Sequence, residues 1–401
     1  MPGKSLYIII VSIIIILAII GGAIAYYYLT PPTTTPIKTT PLTASPTLTT
    51  GVATPTTPPT VVKELILWKQ VYADPYAQSV WERVYKEFEA ATGIHVKAIT
   101  WEPSDGNNKM MVALTVKSPE LLPHVSNMIG ELASMVCAPQ GCLEPLDDIY
   151  EWLKANWGND LVIELFELMK WPGPDGKLHI YQLPWGASVW MLNLRYDIMK
   201  QAGLKPEDFS TFDKLNASLY YLRDYFKSKG IRMIPFDIQL SPTSLGDAPE
   251  DVDMLFTIFA GVHVYDPKTK MPLLNATPEN FQALVKVLEV LKKWYDDGIL
   301  PKGAITESDM INNVNFINGI TFGTPNNVGT MIGVAKRQHP EWEYIVLPLP
   351  ASDKHPEPFG ILMPRTFLIP AYIPPEAKQA AKEFIKFVLN KTNYEKWYGY
   401  E

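Results

Sequence analysis

Residues 30–60 read TPPTTTPIKTTPLTASPTLTTGVATPTTPPT, with 14 threonines, 8 prolines and Lys38 as the one charge. A segment of this kind cannot bury enough apolar surface to offset its conformational entropy, and frequent proline biases it toward extended polyproline conformations. The fold must therefore lie to one side of it, with residues 30–60 serving as a disordered Thr/Pro-rich stalk. At about 3.1 Å per residue, such a stalk reaches up to roughly 100 Å when fully extended. Its threonine content also fits O-glycosylation of a surface linker.

Ahead of the stalk, Ser5 to Leu29 carries no charge and includes ten isoleucines. As a helix this run spans about 37 Å, enough for a bilayer core. Two readings are open for residues 1–29. One is a retained transmembrane anchor; the other is a cleaved secretory signal, because Ala23-Ile24-Ala25 offers a small-residue cleavage pattern. The length of the run and the stalk behind it favour the anchor. Either way the rest of the chain is exported, and Lys4 with the amino terminus favours an inside N-terminus.

Residues 61–401 are too many for one ordinary core and suit two domains. A net charge of −7 argues against a nucleic-acid partner. Eleven tryptophans and 20 tyrosines are mostly core material for two sizeable lobes, with a few left to line a site. The two cysteines, Cys137 and Cys142 in CAPQGC, lie in the exported part, where disulfides persist. The favoured reading is a local bridge closing a six-residue loop, which contributes roughly 2 kcal/mol; free thiols are the alternative.

The apolar pattern predicts strand, helix and strand in close succession. ELILW (64–68) reads as a buried strand. A helix follows Asp74-Pro75, with Val80, Val84 and Phe88 at i+4 spacing and Gly93 as its stop, and IHVKA (94–98) alternates as a second strand. This is a βαβ unit, so its strands should lie parallel. A helix over 108–116, a short strand at 124–128 and a helix over 131–136 continue the α/β pattern. The run from Asp175 to Leu204 is extended but interrupted by Pro184 and Gly186, which suits an edge or a crossing between lobes. Thr211 reads as an N-cap. Phe281, Leu284, Leu288, Leu291 and Tyr295 read as one helical stripe, and a last helix after Pro374-Pro375 repeats Ala377, Ala381, Phe384 and Val388.

The sequence holds no Gly-x-Ser-x-Gly elbow, His-Glu-x-x-His, Cys-x-x-Cys, Gly-x-Gly-x-x-Gly or phosphate loop. Six scattered histidines assign no metal cluster. GDAPEDVDM (246–254) gathers Asp247, Glu250, Asp251 and Asp253, and reads as a solvated helix start, since the twelve-residue Ca²⁺ loop pattern is missing. Paired carboxylates for glycoside hydrolysis are a matter of separation in space.

Several stretches together resemble the extracellular solute-binding proteins of ABC transporters, in the sugar-binding family 1 that includes maltose-binding protein. They are LILW with VYKEFEAATGIHVK, PHVSNMIGELASMVCAPQGCLEPLDD, GKLHIYQLPWGASVWMLNLRYDIMKQAGL, STFDKL, NFINGITF, EYIVLPLP with FGILMP, and EAKQAAKEFIKFVL. They fall in the family's order across about 61–400. The anchor and threonine-rich stalk are similar to the arrangement of such proteins in archaea.

The resemblance implies an α/β, two-lobed periplasmic-binding-protein-like fold of type II, with a hinge and an interlobe cleft. Lobe 1 is 61–186 plus 366–401 and lobe 2 is 187–365, with crossings near Gly186 to Val189 and Phe359 to Arg365. It implies no catalytic residue, metal or cofactor. By position, the ligand-binding candidates are Tyr72, Asn127, Glu131, Trp185, Ser188, Asp237, Asn326 and Asn327, with Trp101 and Trp190 as further flat faces for a sugar ring. The partners implied are a small polar solute, a carbohydrate above all, the subunits of an ABC permease, and the membrane through the N-terminal helix. That places a single-pass protein at the cell surface with its solute-binding part outside. Asparagines stand after FGTP where the family commonly has an aromatic. Family members also continue for several tens of residues past NYEKWYGYE. Two rival readings remain at this level: a surface-anchored glycan hydrolase, and a structural or adhesive cell-surface protein.

Overall fold

A computed structural model of the 401-residue chain describes residues 62–71, 75–128, 134, 136–242, 246–327 and 330–398. The anchor and stalk expected over 1–60 lie outside these. No described helix is long and apolar enough to cross a membrane.

The chain opens with β1 (Glu64–Gln70), α1 (Pro75–Thr92), β2 (His95–Trp101), α2 (Pro103–Val116) and β3 (Val125–Ser126). These strands form a parallel sheet in the order β2-β1-β3, with Glu64 opposite His95, Gln70 opposite Trp101 and Leu67 opposite Val125. A parallel pair needs a crossover, and α1 supplies it. Val80, Val84 and Phe88, with Trp81 and Tyr85, make its buried face. Gly93, at φ 75°, ends it in the left-handed region that costs a glycine little. α2 begins at Pro103, five residues before the start expected from periodicity, because Glu102 caps it by accepting from the Ser104 N–H.

Next come α3 (Asp147–Trp157), α4 (Ile163–Leu168) and the small antiparallel pair β4 (Lys170–Pro172) and β5 (Leu178–Ile180). The long strand β6 (Leu183–Arg195) then leads into α5 (Tyr196–Gln201), α6 (Phe212–Lys229), β7 (Ile234–Phe236), α7 (Asp247–Ala260), α8 (Pro278–Asp296), α9 (Ile311–Ile317) and β8 (Thr321–Asn327). After α10 (Thr330–Gln338) and β9 (Tyr344–Leu347), β10 (Ile361–Phe367) leads back to α11 (Pro375–Val388) and α12 (Lys391–Tyr398). The second sheet runs β10-β6-β8-β7, with β9 also paired to β6. Thr211 caps α6 by accepting from Lys214 N–H, and α11 buries Ala377, Ala381, Phe384 and Val388, as their spacing predicts.

Two large apolar clusters result. The first joins Leu65, Phe88, Leu143 and Leu183 to Phe367 and Phe384; the second joins Trp190, Leu192, Leu219 and Phe256 to Trp294 and Met363. Each such side chain, fully buried, contributes about 1.5–3 kcal/mol. Strand β6 starts in the first cluster at Leu183 and ends in the second at Leu194, while β10 starts beside the second and ends in the first at Phe367. The two run antiparallel, Ile361 opposite Trp190 and Phe367 opposite Leu183, with a register break between Arg365 and Thr366. There Gly186 faces Arg365 and Pro184 faces Thr366, so Trp185 is the extra residue of a bulge. A proline is tolerated within a paired strand at such a break, where the ladder already lacks a hydrogen bond.

Three readings from the sequence change. The buried face of α8 is Ala283, Val287, Leu291 and Trp294, while Phe281 is 51% exposed. The stripe is thus rotated by about a residue, because Trp294 turns into the core to stack on Phe212 and bond Asn216 Oδ1. Trp190 is wholly buried in the second cluster and offers no face to a solute. Cys137 and Cys142 are free thiols in the structure, where the sequence favoured a bridge. Both are buried, and burial, then the neighbouring Cys142, pushes the Cys137 thiol up to about 12.

Candidate functional site

The carboxyl ends of the parallel strands in both sheets carry polar side chains, the place where open α/β sheets collect ligands. In the first sheet these ends are Gln70, Trp101 and the residues after Ser126; in the second they are Asp237, just past β7, and Asn326 and Asn327, closing β8. Two hydrogen bonds tie the groups together. Ser104 Oγ, on α2, donates to Asp309 Oδ2 at 3.1 Å. Arg365 Nη1, on β10, donates to Gln70 Oε1 at 3.3 Å.

Asp309 is held from below by the start of α7. The Asp247 N–H donates to its Oδ1 at 3.1 Å. Gly246 lies so close that a Cβ there would stand 2.0 Å from Asp309 Oδ2. Asp247 in turn accepts from Asn312 Nδ2 at 2.8 Å and Asn326 Nδ2 at 3.1 Å. Asn326 also donates to Asn313 Oδ1 at 2.8 Å and accepts from the Asn327 N–H at 2.7 Å, so both its N–H donors are engaged. Asn327 Oδ1 accepts from Ser188 Oγ at 2.5 Å, linking β8 to β6.

Desolvation dominates the electrostatics. Burial pushes the Asp247 carboxyl up to about 7, with Asp309 adding to the rise, while the Asn312 bond, Arg365 and the Asn326 bond oppose it. Burial pushes Asp237 to about 7 as well, against the bond from Asn315 Nδ2 at 2.8 Å. Asp251 is raised well above the ordinary range by burial and then by Asp247, although it accepts from the Gln239 N–H at 3.0 Å. Glu102 rises through burial and then through Asp309 across from it.

Several buried polar atoms here have no protein partner: Glu102 Oε1, Asp237 Oδ1, Asp251 Oδ1, and both amide atoms of Asn127 and of Gln239. Leaving such a group unpaired costs about 1–3 kcal/mol. Buried polar groups are mostly hydrogen-bonded, and those left open near strand carboxyl ends are ones a polar ligand can satisfy.

The residues named from sequence distribute unevenly. Tyr72 and Glu131 lie outside the described residues. Ser188, Asn326 and Asn327 come together, and Asp237 joins the same end of the second sheet. Asn127 is 3% exposed at the end of β3. Trp185 packs edge-on to Trp81 at 5.2 Å and beside Phe367, and its carbonyl accepts from Tyr394 Oη at 2.9 Å. Trp101 has Lys109 Nζ 3.7 Å over its ring. Glu102, Ser104, Asp309 and the Asn312–Asn313 pair were missed, though three asparagines within a seven-residue helix, Asn312, Asn313 and Asn315, are a polar signal. GDAPEDVDM is no solvated helix start: Asp251 and Asp253 are buried, where Asp251 accepts from the Gln239 N–H and Asp253 is held by the Val264 N–H and His263.

Two separately packed α/β clusters are joined by paired crossing strands and carry polar side chains at their strand carboxyl ends. Comparison with known proteins gives the class to which this architecture belongs. The family model described as bacterial extracellular solute-binding protein matches residues 83–400, and the chain belongs to that family. It is therefore a solute-binding protein rather than an enzyme. Among curated proteins none matches by sequence. Among solved structures, an ABC transporter solute-binding protein of Thermotoga lettingae TMO bound with α-D-tagatose is similar, with a TM-score of 0.64 and 19% identity over 84% of this chain and 79% of that one. A sugar transporter of Bacillus licheniformis in complex with stachyose gives 0.61 and 18% over 83% and 80%. Maltose-bound MalE3 of T. maritima gives 0.60 and 16% over 83% of each. At these identities the likeness is one of fold.

Proposed function

We propose that the protein is a membrane-tethered extracellular receptor that captures a carbohydrate or similar polar solute and delivers it to an ABC permease. The solute sits in a cleft between lobe 1, residues 61–186 plus 366–401, and lobe 2, residues 187–365. The lobes move about a hinge in the paired crossings of β6 and β10, in the manner of a type II binding-protein fold. Residues 1–29 hold the base at the membrane, and the stalk over 30–60 lets the receptor reach the permease. Similarity to proteins solved with tagatose, stachyose and maltose supports the carbohydrate class.

One observation supports the cleft: Ser104 Oγ, on α2, bonds Asp309 Oδ2, in the turn before α9 of the other half, while the buried amide of Asn127 lacks any partner. Bonds of this kind exist only when the halves are together, which is how a ligand comes to stabilise closure. The ligand-facing residues are Asn127, Asp237, Ser188 and Asn327, to which the sequence adds Tyr72, Glu131 and Trp185 as candidates, with Asn326 holding Asp247. Calorimetry of the full chain against mono- and oligosaccharides and polyols tests this. The expected result is binding near micromolar, about −8 kcal/mol, with a smaller radius of gyration in scattering when ligand is present. Absence of binding across the panel, with no change of shape, refutes the assignment.

A further inference from the structure

The orphan atoms at this site are unequal in kind. Three are single oxygens of carboxylates, Glu102 Oε1, Asp237 Oδ1 and Asp251 Oδ1, and the others belong to the amides of Asn127 and Gln239. Gln239 is wholly buried, and its own N–H bonds Asp251 Oδ2. It stands two residues after Asp237, which acts electrostatically on Asp251, so the three residues lie close together in the interior. The acidic groups also act on one another in sequence: Glu102 feels Asp309 and Asp105, Asp247 feels Asp309, Asp251 feels Asp247, Glu250 and Asp237, and Asp237 feels Glu307. Arg365 acts on this series through Asp247, and it also donates to Gln70. A buried group of carboxylates is repulsive unless it is protonated or a cation enters.

Resting on the reading of the site as a solute cleft, we propose that the solute is a polyhydroxylated molecule bearing a protonated amine, an amino sugar or its oligomer, whose ammonium group is received among Asp237, Asp251 and Gln239. An ammonium has three donors and no acceptor. It supplies to Asp237 Oδ1, Asp251 Oδ1 and Gln239 Oε1 what they lack, and cancels charge in a place where a hydroxyl only shares a proton. The hydroxyls then take the amides of Asn127 and Gln239 Nε2.

Calorimetry of the full chain with three matched series, glucosamine oligomers, N-acetylglucosamine oligomers and glucose oligomers of one to four units, tests the proposal. The expected result is that the free amine binds at least about tenfold more tightly than either neutral series. Its apparent enthalpy near pH 7 should also depend on the ionisation enthalpy of the buffer, because the ammonium displaces protons from the carboxyls. Asp251→Asn, checked for an unchanged melting transition, should abolish both the preference and the proton release. Should that variant not fold, Glu102→Gln, at the opposite edge, should leave the buffer dependence in place while Gln239→Glu enhances the preference. Equal or tighter binding of a neutral series without proton release overturns the inference and leaves the receptor assignment standing. Failure of all three series to bind overturns both.

Discussion

Ser104 and Asp309 are separated by 205 positions in the chain and by 3.1 Å between Oγ and Oδ2. One begins the helix after β2, the other precedes α9, and each is set by a close backbone approach of its own. For Ser104 this is the cap from Glu102; for Asp309 it is Gly246, whose missing Cβ leaves room for the carboxylate. If this contact joins two bodies that open and close, its loss should act on closure and leave the packed clusters alone. Ser104→Ala is expected to weaken solute binding by about three- to tenfold, the value of about one ordinary hydrogen bond, with an unchanged melting temperature. A parallel fall in melting temperature would show Ser104 to be ordinary structure.

Gly246→Ala offers a steric version of the same test. The new methyl must displace the Asp309 carboxylate, and with it the N–H bond from Asp247. Binding should fall by more than in Ser104→Ala, and scattering should show a more open average shape. An unaltered shape with unaltered affinity would mean that Asp309 relaxes freely.

Asn127 separates ligand contact from architecture by sign. Its buried amide is unpaired, so the folded protein carries the desolvation of that group with no return from a bond. Asn127→Ala should leave the unliganded protein as stable or more stable, by up to about 1–2 kcal/mol, and should weaken solute binding by about tenfold. Loss of stability together with unaffected binding would remove Asn127 from the site.

Acidification should stabilise the protein. Burial raises Asp237 and Asp247 to about 7, against roughly 4 in an unfolded chain. Between these values the native state holds protons that the unfolded state has lost, so stability falls as pH rises from about 4 to 7 and levels off above that. His263, raised by its bond to Asp253, contributes in the same direction. The melting temperature should climb on going from pH 8 to pH 5.5, and Asp237→Asn should reduce that slope while raising stability at pH 8. A slope identical in the variant would mean that Asp237 is ionised throughout.

Trp185 tests the bulge in the crossing strand. Its ring meets Trp81 and Phe367 in the first cluster. Trp185→Ala should therefore lower stability by about 2–3 kcal/mol, read from denaturant unfolding, whether or not affinity also changes. A variant that keeps full stability and loses binding would make the ring a sugar platform.

What could be read from the chain order follows from local physics. The i+4 repeat of Val80, Val84 and Phe88 makes a helix wherever it occurs. The Thr211 cap, the Gly93 stop and the Ala377-to-Val388 stripe are equally local, and so was the α/β pattern they compose. The interruption by Pro184 and Gly186 marks unusual extended chain from the sequence alone. The family resemblance then pointed to the ends of strands, where Asn127, Asp237, Asn326 and Asn327 do stand. The stripe of α8 was misread because Trp294 and Phe281 are both apolar, and only the position of Phe212 decides which of them turns inward.

The sequence by itself determined that a Thr/Pro-rich segment cannot join a core, that the exported part alternates strands and helices, and that its size calls for more than one core. Only the tertiary structure decided that Asp247 and Asp251 face the interior, that Ser104 meets Asp309, and that Cys137 and Cys142 remain thiols. The reason is range. Propensity and periodicity act over a few residues, whereas the burial of a carboxylate and the partners it finds depend on segments hundreds of positions away, brought together when the two clusters pack.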